Sequence, residues 1–176
     1  MAAPLRAGYA IAEGEEPPMY ATCDLYDDHG EALGVLPAAL RHFGGRLAFH
    51  GPAQTVKTHE VNTCVRELAN SPGEGRVMVV DGGGSDRRAL MGDMLAAAAA
   101  RNGWAGAVIF GAVRDVAELR QLDLGIMALA RTPARCLRSG EGEVGCPITI
   151  GGVRIAPGDM IVADEDGVIV APPGLI

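Results

Sequence analysis

The apolar positions of this chain come in short blocks. Val77 to Val80, Ala107 to Phe110 and Ile126 to Ala130 are uninterrupted apolar runs, each bounded by glycine or charged residues. Runs of that length suit strands buried on both faces, because a strand with one wet face alternates apolar and polar residues instead. Between them lie Met94 to Arg101, mostly alanine and closed by Asn102-Gly103, and Val116 to Gln121. Both are predicted helices, the first from its propensity and its glycine stop. The order strand, helix, strand, helix, strand from Val77 to Ala130 predicts two βαβ crossovers in a mainly parallel sheet.

On either side of this block the pattern changes. Charged, turn-rich residues through Pro17-Pro18 predict an N-terminal arm over residues 1–20, ahead of one domain over 21–176. A helix is expected from about Thr22, capped by Thr22 or Asp24, and a second over Pro37 to His42, ended by Gly44-Gly45. Leu47 to Phe49 and Ala53 to Thr58 read as two short strands. Val61 to Ala69 reads as a helix that stops at Asn70-Ser71-Pro72-Gly73. Asp81-Gly82-Gly83-Gly84-Ser85 opens a loop that runs to Gly92, and Gly111 breaks the strand before it. From Ile148 onward, four short β runs separated by Gly-Gly, Pro-Gly-Asp and Asp-Gly predict hairpins or a meander packed on the parallel part. The fold class is therefore α/β, a single compact domain.

Composition narrows the class further. A chain of 176 residues with 48% hydrophobic content supports one core, and with only 4% aromatics that core is built from Val, Ile, Leu, Ala and Met. The net charge of -7 opposes binding to phosphate backbones, and Arg87-Arg88 is the longest basic run, so no nucleic-acid partner is expected. Nothing approaches the ~20 apolar residues of a membrane span, and Met1 to Tyr20 lacks the apolar stretch of a signal peptide. A cytoplasmic protein without a membrane partner is the expectation. Cys23, Cys64, Cys136 and Cys146 form no CxxC pair and read as reduced thiols.

In a parallel sheet, the loops leaving the C-terminal strand ends share one edge, where ligands collect. Two loops lead there, one ending at Gly92-Asp93 and one running from Gly111 to Arg114-Asp115. Neighbouring strands are only about 4.8 Å apart, so Asp93, Arg114 and Asp115 can converge. Each acid also has a plainer reading as a helix cap, and Arg114-Asp115 as a solvated ion pair. The glycines on both approaches favour a site, since they let backbone come close to a ligand. The N–H groups at Asp93, Met94 and Leu95 would form a carboxylate cradle. Other candidates are weaker. Gly82-Gly83-Gly84-Ser85 fits neither a P-loop nor a dinucleotide fingerprint. His29, His42, His50 and His59 show no H-E-x-x-H spacing, and Ser85 has no nucleophile elbow. Asp164-Glu165-Asp166-Gly167 makes a hairpin turn, with a second metal site as the alternative.

Six runs taken together carry a resemblance. They are Val79-Val80-Asp81-Gly82-Gly83-Gly84-Ser85, Gly92-Asp93-Met94-Leu95-Ala96, Asn102-Gly103-Trp104-Ala105-Gly106, Gly111-Ala112-Val113-Arg114-Asp115, Pro157-Gly158-Asp159 and Ala163-Asp164-Glu165-Asp166-Gly167. They resemble the RraA-like family, which contains 4-hydroxy-4-methyl-2-oxoglutarate aldolases and proteins described as regulators of ribonuclease E. The resemblance covers nearly all of the chain from about Thr22.

It implies a swivelling β/β/α architecture, like that of phosphohistidine domains, and a homotrimer or dimer of trimers. It also implies class II aldol cleavage of a 2-keto acid to pyruvate, with oxaloacetate decarboxylation as a side activity. By position, Asp115 would bind Mg²⁺ or Mn²⁺, and Arg114 would orient the keto acid. Asp93 would hold a catalytic water, while Gly92 and the amides of Met94 and Leu95 would meet the substrate carboxylate. Regulator members tend to lose the acid after the arginine, and this chain keeps it. The competing expectation is a non-catalytic inhibitor of ribonuclease E. One departure is at the C-terminus, where longer aldolases carry an extension into a neighbouring subunit's site and this chain ends at Ile176.

Overall fold

The computed structural model describes residues 20–176, so the expected arm lies outside the described residues apart from Tyr20. In chain order the elements are α1 (Thr22–His29), β1 (Gly34–Val35), β2 (Arg41–His42), β3 (Phe49–Thr58), α2 (Thr63–Ala69), β4 (Val77–Asp81), β5 (Ala89–Met91) and α3 (Asp93–Arg101). They continue with β6 (Gly106–Val113), α4 (Val116–Leu119), β7 (Gly125–Arg131), β8 (Gly142–Val144), β9 (Ile148–Ile150), β10 (Val153–Ile155), β11 (Met160–Ala163) and β12 (Val168–Ala171). Strands β3, β4, β6 and β7 are parallel neighbours in that order. The two crossovers read from the sequence are present, with β3 as a further parallel strand.

Beyond β3 the sheet turns antiparallel through β11, β12 and β1, and β2 closes the far edge against β7. The result is one compact α/β domain around a mixed sheet. The sequence reading places the β11–β12 hairpin on top of the parallel part; it extends that sheet instead, because β11 pairs with β3. Among the late strands, β9 and β10 form a separate two-stranded layer. The uninterrupted apolar runs follow from this layering. Met78 and Val80 face the helices, in a core with Ala96, Ala99 and Leu119, while Val77 and Val79 face Ile148, Ile150 and Ile155 of the small layer. None of the four β4 residues is more than 1% exposed. The alanines of α3 let that helix lie close to the sheet, burying Ala96, Ala98 and Ala99. Phe49 fills the space over Gly106 and Gly125, which stand side by side on β6 and β7; a Cβ at either would come within 2.4 or 1.9 Å of its ring.

Several local expectations are corrected. Pro37 to His42 is not a helix: Leu40 N–H closes one turn on the Pro37 carbonyl, and Arg41-His42 then joins the edge of β7. A segment that short gains more from a sheet edge than from a helix it cannot propagate. Leu47 to Phe49 and Ala53 to Thr58 are not two strands, because β3 runs unbroken for ten residues through Pro52. Register with β4 begins at Ala53, so the missing N–H of Pro52 removes no bond from that ladder.

Gly111 does not break β6. Strand β4 leaves the sheet opposite Phe110, and β5, inside the expected loop, takes its place beside Ala112 and Val113. Neither Thr22 nor Asp24 caps α1. Asp164 does so from the far end of the chain, accepting hydrogen bonds from the Thr22 amide (2.8 Å) and hydroxyl (2.7 Å). Its carboxylate also receives Asp166 N–H at 3.0 Å, so the acidic turn is engaged in capping and in closing its own hairpin. The four cysteines are free thiols. No described helix is long and apolar enough to cross a membrane.

Candidate functional site

The site is built where β6 ends. Arg114 N–H donates to the Met91 carbonyl (3.0 Å) and Thr132 N–H to the Val113 carbonyl (3.0 Å), so the strand end is tied to both neighbours. The next residue, Asp115, has φ 57° and ψ 44°. That left-handed conformation is uncommon outside glycine, though aspartate is among the residues that adopt it most readily. It reverses the chain into α4, whose last two amides, of Glu118 and Leu119, bond to the Asp115 carbonyl at 3.1 and 3.0 Å.

The Asp115 carboxylate makes no cap bond to its own helix. Its Oδ2 accepts from Arg114 Nε at 3.2 Å and, at a long 3.4 Å, from Asp93 N–H. Its Oδ1 has no protein donor among the described residues, and neither Arg114 Nη atom has an acceptor among them. Both side chains are partly open, at 37% and 30% exposure for Arg114 and Asp115.

Gly92 makes this approach possible. A Cβ there would stand 2.5 Å from Asp115 Oδ2 and 3.1 Å from Arg114 Cγ, so any other residue would displace the pair. Asp93 follows as the first residue of α3, and its Oδ1 accepts Met94 N–H at 2.7 Å. Gly92, not Asp93, is the N-cap of α3, and neither acid makes a side-chain cap bond, so the plainer cap reading fails for both, although Asp93 holds the adjacent amide. Of the three amides in the expected cradle, two are engaged, by Asp115 and by Asp93 itself. Leu95 N–H alone lacks an acceptor among the described residues.

The structure brings Gly92, Asp93, Arg114 and Asp115 together but sends the two acids toward adjoining depressions. Arg114 and Asp115 line a cavity of about 350 Å³ with Val116, Arg131, Thr132 and Pro133. Asp93 and Met94 line a second, of about 440 Å³, with Ala97, Arg101, Glu118 and Leu122. Arg131 and Thr132 were missed from sequence. The signal was available, since they follow the apolar run of β7 onto the same C-terminal sheet edge.

A second acidic position on that edge was also missed. Glu60, just past β3, has φ 57° and is 8% exposed. Its Oε1 accepts from the Ser85 hydroxyl and from Arg87 Nε, both at 2.7 Å. The Ser85 hydroxyl foremost, with Arg87 adding to it, holds the Glu60 carboxyl below its usual range against the opposing effect of desolvation. This contact pins the glycine-rich loop that leads into β5 and Gly92.

Among the described residues, no three His, Cys, Asp or Glu side chains gather into a cation cage. Asp115 instead offers one open carboxylate oxygen beside a cavity with room for water. That donor set fits a hard divalent cation that keeps most of its hydration, and does not fit a tetrahedral zinc site.

Comparison with known proteins adds a second line of evidence. The family described as Aldolase/RraA, RraA-like, matches residues 21–170. A protein of Alkalilimnicola ehrlichii named "Putative 4-hydroxy-4-methyl-2-oxoglutarate aldolase" is 52% identical over 155 residues, covering 88% of this chain and 96% of its own length. The solved structure of the RNA-processing inhibitor RraA from Thermus thermophilis is 43% identical with a TM-score of 0.84, covering 89% of this chain and 96% of that one. A structure described as an S-adenosylmethionine: 2-dimethylmenaquinone methyltransferase from Geobacillus kaustophilus is 40% identical, also with a TM-score of 0.84, covering 89% of this chain and 97% of that one. The three names diverge, and the chemistry of the site is what separates them.

Proposed function

This chain belongs to the Aldolase/RraA family, and from that premise we propose that it is a class II, divalent-metal-dependent carbon–carbon lyase. Its substrate is 4-hydroxy-4-methyl-2-oxoglutarate or a related 4-hydroxy-2-keto acid, cleaved to pyruvate, and oxaloacetate decarboxylation is a side activity. The observation that carries the reading is the open Oδ1 of Asp115 beside an uncommitted Arg114 fork. A cation on Asp115 accounts for that arrangement, whereas neither inhibition of RNA processing nor methyl transfer calls for it. Inhibition of ribonuclease E is the alternative expected from the family.

Arg114 binds the keto-acid carboxylate through its two Nη groups, a bidentate geometry that also fixes orientation. Gly92 keeps the Arg114 and Asp115 side chains in place, and Leu95 N–H supplies a further donor to the carboxylate. Mg²⁺ or Mn²⁺ held by Asp115 would supply Lewis acidity at the keto group. Asp93 keeps its second oxygen for a water that takes the proton from the C4 hydroxyl. As that proton leaves, the C3–C4 bond breaks, C4 becomes a ketone and the bonding electron pair stays on C3. With 4-hydroxy-4-methyl-2-oxoglutarate, both halves become pyruvate once C3 is protonated. The positive charge of Arg114 stabilises the charge that develops on the keto-acid half. The expected trimer would place Met94, 80% exposed beside Asp93, at a subunit boundary.

Pyruvate release from 4-hydroxy-4-methyl-2-oxoglutarate and from oxaloacetate, measured with EDTA and after Mg²⁺ or Mn²⁺ is restored, tests the proposal. Loss on chelation and recovery with either metal is expected. Turnover that persists in EDTA overturns the mechanism, and absence of turnover with both substrates returns the protein to the inhibitor reading.

A further inference from the structure

The cavity beside Asp115 holds a second guanidinium. Arg131 is the last residue of β7, in register with Val113, the residue before Arg114. It lines the same cavity as Arg114 and Asp115, yet its guanidinium makes no hydrogen bond or ion pair with any described residue. Arg114 at least donates its Nε to Asp115. The lining therefore carries two guanidiniums against one carboxylate, a local positive excess on a chain whose net charge is -7. Like charges facing one cavity are unfavourable until an anion enters. Beside Arg131, Thr132 Oγ1 accepts the Ala134 amide at 3.3 Å, which leaves its own proton free to donate into the cavity.

A 2-keto acid with one carboxylate satisfies Arg114 and leaves Arg131 unused. An acid with a second carboxylate at its far end satisfies both. We propose that Arg131, assisted by the Thr132 hydroxyl, is the specificity-determining residue that binds the distal carboxylate of these dicarboxylic 2-keto acids and discriminates against their monocarboxylic analogues. The inference rests on the reading of Arg114 and Asp115 as the keto-acid end of a lyase site. 4-Hydroxy-4-methyl-2-oxoglutarate and oxaloacetate both carry a second carboxylate, and the inference adds the residue that holds it. The cavity volume of about 350 Å³ suits a single acid of five or six carbons.

The two claims are separated by measuring binding apart from turnover. 2-Oxoglutarate and 2-oxopentanoate have the same chain length and differ in a terminal carboxylate against a methyl group. Neither has a 4-hydroxyl, so neither undergoes the cleavage. Titration calorimetry with Mg²⁺ present, on the wild type, Arg131→Met and Arg131→Lys, reads the preference directly. The wild type is expected to bind 2-oxoglutarate about tenfold more tightly. Arg131→Met abolishes that preference by weakening 2-oxoglutarate alone, and Arg131→Lys restores part of it. A wild type without preference, or a variant that weakens both acids equally, overturns the role of Arg131. A wild type that shows the preference yet releases no pyruvate from either 4-hydroxy-4-methyl-2-oxoglutarate or oxaloacetate overturns the lyase reading and leaves the dicarboxylate site standing.

Discussion

Glu60 and Asp115 occupy comparable places in the fold. Each is an acid at φ 57°, just past a parallel strand, on the same sheet edge. Their surroundings differ. Glu60 is buried, with one oxygen receiving two bonds of 2.7 Å and its carbonyl receiving Leu137 N–H at 2.8 Å. Asp115 also takes both contacts on one oxygen, but they are longer, at 3.2 and 3.4 Å, and its side chain is 30% exposed against 10% for Glu60. Strained backbone on its own therefore does not mark a reactive group. In Glu60 the strain is held by a buried carboxylate whose two short contacts lock a loop. In Asp115 it presents a partly open carboxylate with only long contacts at a cavity, which is where an external cation or substrate fits.

The largest effect expected from breaking this contrast is at Asp115. Asp115→Asn keeps the left-handed turn, which asparagine tolerates, and removes the negative charge that would hold a cation. Pyruvate release with saturating Mg²⁺ should fall by about 10³-fold, the scale of several kcal/mol of lost electrophilic catalysis, while circular dichroism and Tm stay near the wild type. An active variant would show that Asp115 is no more complete a ligand than Glu60 is.

Next is Gly92→Ala. Its Cβ would press on Asp115 Oδ2 from 2.5 Å, forcing the carboxylate and Arg114 aside. A displacement on the 1 Å scale predicts a loss of roughly 10²-fold in kcat with the fold retained. Unchanged kcat would mean that the pair accommodates the methyl group.

The smallest effect on activity is expected at Glu60. Glu60→Gln keeps one acceptor but loses the charge facing Arg87, so thermal unfolding should show a lower Tm at neutral pH with kcat/KM within about threefold. The pH dependence has a definite sign. The folded carboxyl titrates below the ordinary glutamate value of 4.5, so its contribution is complete above that value and fades as the pH falls through the folded pKa. The Tm gap between variant and wild type should therefore close in acid. A gap that widens there would exclude the hydrogen-bonded carboxylate as its source.

Much of this could be read from local pattern. Val77–Asp81, Gly106–Val113 and Gly125–Arg131 form strands because their apolar runs are buried on both faces, and α3 forms because its alanines favour helix and Asn102-Gly103 ends it. Each signal lies within one short window. The misread segments depend on a distant partner. Arg41-His42 is a strand because β7 offers an edge, Phe110-Gly111 stays in a strand because β5 replaces β4, and α1 is capped by Asp164, 142 residues away.

The candidate site divides along the same line. Sequence by itself determined the parallel core, the edge on which chemistry collects, and the family motifs that single out Asp93, Arg114 and Asp115. Tertiary structure alone decided that Asp93 holds the amide next to it while Asp115 makes no cap bond, that Gly92 sets their spacing, and that Arg131 and Thr132 share the cavity while Glu60 is buried in short contacts. Burial and helix propensity act over neighbouring residues and leave a periodic trace in sequence. Whether a carboxylate is satisfied or open depends on donors from separate strands, and that is settled only when the chain has folded.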